Sequence, residues 1–151
     1  MKSKILTILF LLIPLLILAQ EINSGKIKLK VTGFRTTKGQ LMVSFYSGPN
    51  GFPMQPDTVY RIEKSIIRNQ ILEYAFENFS YGTYAISLCD DETHNDTMNY
   101  TRLGIPTEGF GFSNNIVPKI KSPRFEQCMF KLNNSEITIN IELIYKAKNH
   151  E

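Results

Sequence analysis

Oxygen-bearing side chains crowd one stretch of the chain, Asp90-Asp91-Glu92-Thr93-His94-Asn95-Asp96-Thr97-Met98-Asn99. Counted from Asp91, they fall at loop positions one, three, five and nine, namely Asp91, Thr93, Asn95 and Asn99. That is the spacing by which a calcium loop converges oxygens on a hard cation. Only Asp91 of the four is charged. Asp96 stands at the sixth position, where glycine makes the sharp turn, and Arg102 at the twelfth, where a bidentate Glu closes such a site. The stretch therefore supports two readings: a weak calcium site, and a solvated turn in which Asx side chains cap their own backbone. His94 lies among these residues, but the only other histidine is His150. A zinc centre needs three or four good ligands, so His94 reads as an isolated surface histidine.

The next segment, Leu103-Gly104-Ile105-Pro106-Thr107-Glu108-Gly109-Phe110-Gly111-Phe112-Ser113-Asn114-Asn115, mixes glycines, aromatics and amides. Glycine permits left-handed backbone or close approach, and aromatics in such a loop either cap a core or line a pocket. Leu103, Ile105, Phe110 and Phe112 are apolar anchors, so the segment is expected to fold back over one end of the domain. At least one Phe should then be buried, with Glu108 at the rim. Glu108, Phe110, Phe112, Asn114 and Asn115 are the candidate ligand-binding residues. Glu108 with Asp91 is also the one pair that a small hydrolase or isomerase could use. No second catalytic group is placed beside Glu108, and the chain has no Gly-x-Ser-x-Gly elbow, phosphate loop or paired zinc motif.

Strands must position these loops, because period-two alternation dominates the rest of the chain. In Lys26-Ile27-Lys28-Leu29-Lys30-Val31 the apolar residues face one way and the lysines face water. Leu41 to Tyr46 is apolar enough for a central strand. Val59 to Ile67, then Leu72, Tyr74 and Phe76, then Tyr84, Ile86 and Leu88 continue the series. Phe125 to Leu132 is the sixth strand, and Ile137, Ile139, Ile141 and Leu143 mark the seventh. Seven short strands with turn signals between them predict an all-β fold: a single antiparallel seven-stranded β-sandwich, immunoglobulin- or prealbumin-like, with a long loop between the fifth and sixth strands.

Strand phase also bears on the two cysteines. Cys89 is out of phase with Tyr84, Ile86 and Leu88, whereas Cys128 is in phase with Phe130 and Leu132. One side chain points outward and the other inward, which argues against a disulfide.

The N-terminus is an address label. Lys2 and Lys4 precede an uncharged apolar run, Ile5 to Leu18, followed by Ala19, Gln20 and a polar stretch. That is the order of a secretory signal peptide, and about 14 apolar residues fall short of the ~20 that a membrane-spanning helix needs. The expected organisation is a signal peptide over 1–20, cleaved near Ala19/Gln20, a β-sandwich domain over 21–145 and a polar tail over 146–151. Loss of Lys2 and Lys4 takes the formal net charge from +3 to +1. Such a balance gives no electrostatic case for nucleic acid, and the mature chain has no transmembrane segment.

The run Gly104-Ile105-Pro106-Thr107-Glu108-Gly109-Phe110-Gly111-Phe112-Ser113-Asn114-Asn115 resembles a signature of the bacterial family called domain of unknown function 2141. Val31-Thr32-Gly33-Phe34, Gly39-Gln40-Leu41-Met42-Val43, Gly51-Phe52-Pro53, Tyr81-Gly82-Thr83-Tyr84-Ala85-Ile86 and Pro123-Arg124-Phe125-Glu126 are similar to it in order. The family's His-Asp-Glu-Asn-x-Asn-Gly-x-x-Asp run aligns with Asp90 to Asn99. Asp91, Glu92 and Asn95 match; Asp90, Thr93, Asp96 and Asn99 depart from it. The resemblance implies a small exported protein of Gram-negative type. The expectation is a non-enzymatic periplasmic or secreted β-sandwich module that uses the 90–115 loop to recognise a small molecule or protein. A structural module carrying a weak calcium site is the third alternative beside the hydrolase or isomerase.

Overall fold

A computed structural model describes residues 23–119 and 121–146. The expected signal peptide, and all of the expected tail except Lys146, lie outside them. Among the described residues eight strands form two sheets: β1 (Ser24–Thr32), β2 (Gln40–Tyr46), β3 (Thr58–Glu63), β4 (Leu72–Ser80), β5 (Gly82–Asp91), β6 (Gly109–Phe112), β7 (Phe130–Leu132) and β8 (Glu136–Glu142). A single helical turn, α1 (Phe125–Cys128), precedes β7.

The smaller sheet has the order β4-β1-β8, and the larger β3-β2-β5-β6 with β7 also paired to β5. Their facing sides meet in one apolar core. Ile27, Leu29 and Val31 of β1, with Ile139 and Ile141 of β8, pack against Leu41, Val43 and Phe45 of β2 and Ile86 and Leu88 of β5. The lysines between them point outward as the alternation predicts, and Lys26, Lys28 and Lys30 pair with Glu77, Glu136 and Glu73.

The fold is all-β and sandwich-like, and it differs from the expected seven antiparallel strands in four ways. β1 and β8 run parallel, which side-chain alternation cannot report because it is blind to strand direction. The expected sixth strand begins as α1 and becomes extended only at Phe130. The third ends at Glu63, where a 3-10 turn over Lys64–Ile66 follows.

The largest difference is β6, a strand inside the expected loop. Gly109, Phe110, Gly111 and Phe112 pair with Asp90, Cys89, Leu88 and Ser87. The alternation is period two with glycine on the inner face. A Cβ on Gly111 would lie 2.6 Å from Ile141 Cγ2, and one on Gly109 2.6 Å from the Tyr145 ring. Glycine there lets the edge of the large sheet press onto the small one. Phe110 and Ile144 exchange two backbone hydrogen bonds (3.0 and 2.8 Å), joining the two sheets at that corner.

Among the described residues one charge pair is fully buried. Lys64, carried inward by the 3-10 turn, donates from Nζ to Asp90 Oδ1, and both side chains are fully buried. Tyr145 donates its hydroxyl to Asp90 Oδ2 at 2.6 Å. Burial pushes the Asp90 carboxyl upward, and the Lys64 and Tyr145 hydrogen bonds pull against that rise.

Candidate functional site

The acidic loop leaves β5 at Asp91, whose side chain on the outer face of the strand is fully buried. Its Oδ1 accepts from the Asn95 amide (3.1 Å) and Thr93 Oγ1 (3.3 Å). Its Oδ2 accepts from the Asp96 amide and Gln40 Nε2, both at 2.8 Å. Burial alone would raise this carboxyl, but these hydrogen bonds outweigh it and hold Asp91 below the usual carboxylate range. His94 and Asp96 take left-handed backbone (φ 60° and 65°), which curls the loop around the carboxylate.

Glu108 plays the matching part from the other end of the loop. It is buried, not at a rim as expected, because its oxygens are needed inside. Oε1 accepts from the Glu92 amide (3.1 Å) and Thr93 Oγ1 (3.4 Å), and Oε2 accepts from the Asn99 amide (3.0 Å). Asn95, Asn99 and Thr93 complete the ring among themselves: Asn95 Nδ2 donates to Asn99 Oδ1, and Asn99 Nδ2 donates to Thr93 Oγ1, both at 3.0 Å. Asp91, Thr93, Asn95, Asn99 and Glu108 are thus brought together, with the loop's own amides on the carboxylate oxygens. Arg35 clamps the outside, donating from Nε and Nη2 to Glu92 at 2.7 Å each and from Nη2 to the Thr107 carbonyl at 2.9 Å.

Ser113, Asn114 and Asn115 close the gap between β6 and β7. Ser113 Oγ accepts from the Ile86 amide (2.9 Å) and donates to the Cys128 carbonyl (2.5 Å), standing in where the edge of β5 has no strand partner. Asn114, at φ 63°, donates from Nδ2 to the carbonyls of Gln127 and Met129. Asn115 accepts from the Glu142 amide and donates to the Asn140 carbonyl, extending the edge of β8. The three residues tie α1, β5 and β8 together, and the candidate amides are occupied in that work.

Phe110 and Phe112 project from the outer face of β6, away from the sandwich core, beside Cys89 and Ser87. With Met42, Ser44 and Tyr46 of β2 they form the floor of a groove of about 400 Å³. Loop 47–57 walls one side through Pro53 and Met54. The acidic loop walls another through Met98 and Tyr100, and Pro118, Lys121, Ser122 and Pro123 form the third. Tyr46 anchors the first wall, donating its hydroxyl to the Pro53 carbonyl at 2.6 Å, with its ring 4.8 Å from that of Phe52. Phe52, Phe112, Phe125, Ala85 and Cys128 form a small second apolar cluster beneath the groove. Met54 is 75% exposed and Tyr100 54%, so apolar surface stands open around the rim. A second depression of about 510 Å³ on the small sheet is lined by Lys28, Lys30 and Glu73, and its lysines already have carboxylate partners.

Both cysteines are free thiols. Cys89 lies on the groove floor, where burial and the carboxylates of Glu108, Asp91 and Asp90 push its thiol up to about 12. It is therefore an inert neutral thiol at ordinary pH. Cys128 lies in α1, not in phase with Phe130 as a strand would place it, and burial raises it to about 11.

Strand pattern alone did not single out the groove residues of β2, although Met42, Ser44 and Tyr46 alternate with Leu41, Val43 and Phe45. A strand apolar on both faces was the available signal, since the second face of such a strand must be covered by something.

No curated protein and no solved structure matches the chain. Residues 29–140 match the model of a family described as an uncharacterized protein conserved in bacteria, DUF2141. The match runs from Leu29 within β1 to Asn140 within β8 and includes the acidic loop, β6 and Ser113 to Asn115, so the chain belongs to the bacterial family called domain of unknown function 2141.

Proposed function

We propose that this protein is an exported binding module that takes a small, largely apolar ligand in the groove on the outer face of its large sheet. One observation carries the reading: a concavity of ligand size, floored by Met42, Tyr46, Phe110 and Phe112, lies on the face of the sheet opposite the sandwich core. A sandwich needs only one apolar face per sheet, so a second one with a partly open cover is surplus to folding. The 90–115 segment serves as a wall and floor built on rigid hydrogen bonds, as loops on rigid scaffolds do. A catalytic role for Asp91 and Glu108 is less favoured because their oxygens already accept amides of the loop. Export is supported by Lys2, Lys4 and the Ile5–Leu18 run.

The test is titration of the mature chain with N-phenyl-1-naphthylamine, a neutral probe that fluoresces in apolar sites. Saturable binding is expected in the wild type. Ser44→Tyr, which fills the floor from an outward strand position, should weaken it at least about tenfold with the melting temperature unchanged. No saturable binding by the wild type, or equal binding by the filled variant, overturns the reading.

A further inference from the structure

The groove is not electrostatically even. On the acidic-loop side its one carboxylate is Asp96, and that charge is met. Asp96 Oδ1 accepts from Arg61 Nε and Gln40 Nε2, both at 2.7 Å, and these bonds hold it below the usual carboxylate range. On the opposite side stand Lys121 and Lys146. Lys146 Nζ donates to the Pro118 carbonyl at 2.7 Å and lies 5.7 Å from the centre of the Phe110 ring, over the groove floor. Among the described residues neither lysine makes an ion pair. On the small sheet, by contrast, Lys26, Lys28 and Lys30 each have a glutamate within 3.2 Å. Among the described residues, then, two ammonium groups without carboxylate partners share an apolar concavity whose one lining carboxylate, Asp96, is already paired.

From this we infer that the ligand is an amphipathic monoanion, an apolar chain or ring ending in a carboxylate. Its body lies on Met42, Phe110 and Phe112, and its head meets Lys121 and Lys146. An ammonium on a flexible stem suits a small anionic head of no fixed plane, whereas a rigid bidentate clamp would call for Arg. Thioethers and aromatic edges adapt to bodies of varied shape, so the charge selects the class and the floor tolerates its members. A cationic amphiphile would place its head beside two lysines, and a neutral one would leave them unused.

The inference rests on the groove being the binding site, and the experiment separates the two. Decanoate and decan-1-ol, which share an apolar chain, are compared as competitors of bound N-phenyl-1-naphthylamine on the mature chain. Two partly exposed lysines, each giving no more than an ordinary exposed ion pair, make decanoate about tenfold the better competitor. The preference should shrink at high salt. Lys121→Gln with Lys146→Gln should abolish it while decanol competes as before. Equal competition by the two in the wild type, or a preference that survives the double substitution, overturns the anion assignment and leaves the groove standing. Failure of both to displace the probe overturns the groove reading with it.

Discussion

Asp91 and Glu108 fold the acidic loop as a strand partner would fold a strand, by giving its amides acceptors. Each is buried and accepts from backbone N–H groups, where charge-assisted hydrogen bonds are at their strongest. Asp91→Asn should therefore cost about 2–3 kcal/mol, the loss of bonds to a charged acceptor, read as a fall in the denaturation midpoint. Because Asp91 is held below its ordinary carboxylate value, the unfolded chain binds the proton more readily. Its contribution is thus present above pH ~4 and lost as pH falls below that value. Melting temperature should drop on acidification from pH 5 to pH 3 by less in Asp91→Asn than in the wild type. The same saturation of Asp91 by donors bears on calcium: millimolar calcium should leave the melting temperature unchanged, checked with and without EDTA. A rise would show that the loop opens its carboxylates to a cation.

At the scale of elements, β6 is the piece on which the corner depends. Its glycines meet Ile141 and Tyr145 at a distance no Cβ tolerates, and its phenylalanines build the groove floor. Gly111→Ala should cost roughly 1–3 kcal/mol by overpacking, since Ile141 belongs to the core and has nowhere to yield. Phe110→Ala should cost about 3–5 kcal/mol, because Phe110 is buried, and should also weaken naphthylamine binding. Ile27→Val in the sandwich core should lower stability by about 1 kcal/mol and leave binding intact. Calorimetric melts paired with the probe titration distinguish a residue of the groove from a residue of the core.

At the scale of the whole molecule, two sheets enclose one core and a second, shallower apolar site lies outside it. Cys89 and Cys128 are free thiols, so the fold draws its stability from the core and not from a disulfide. The proposed export predicts a mature N-terminus near Gln20 or Glu21, read by N-terminal sequencing of protein recovered from the producing cell. Intact Met1 in a membrane fraction would overturn it.

Strand character was legible wherever an apolar stripe alternates with charge. β1, β2, β4, β5 and β8 follow from Ile27-Leu29-Val31, Leu41-Val43-Phe45, Leu72-Phe76, Ile86-Leu88 and Ile139-Ile141, because burial on one face imposes period two on any strand. β6 was hidden although Gly-Phe-Gly-Phe has the same period. Its inner face carries no side chain, and the reason for that absence, the approach of Ile141 and Tyr145, lies about 30 residues further along the chain. Direction was equally invisible, so the parallel pairing of β1 with β8 was decided by the path between them. The oxygen-rich loop was legible as a cluster of polar side chains. Which oxygens face amides was settled by burial of Asp91 and Glu108 against Gln40 and the Asn99 backbone. The groove belongs to tertiary structure altogether. Met42, Cys89 and Phe110 are distant in sequence and become neighbours only because β2, β5 and β6 align in register.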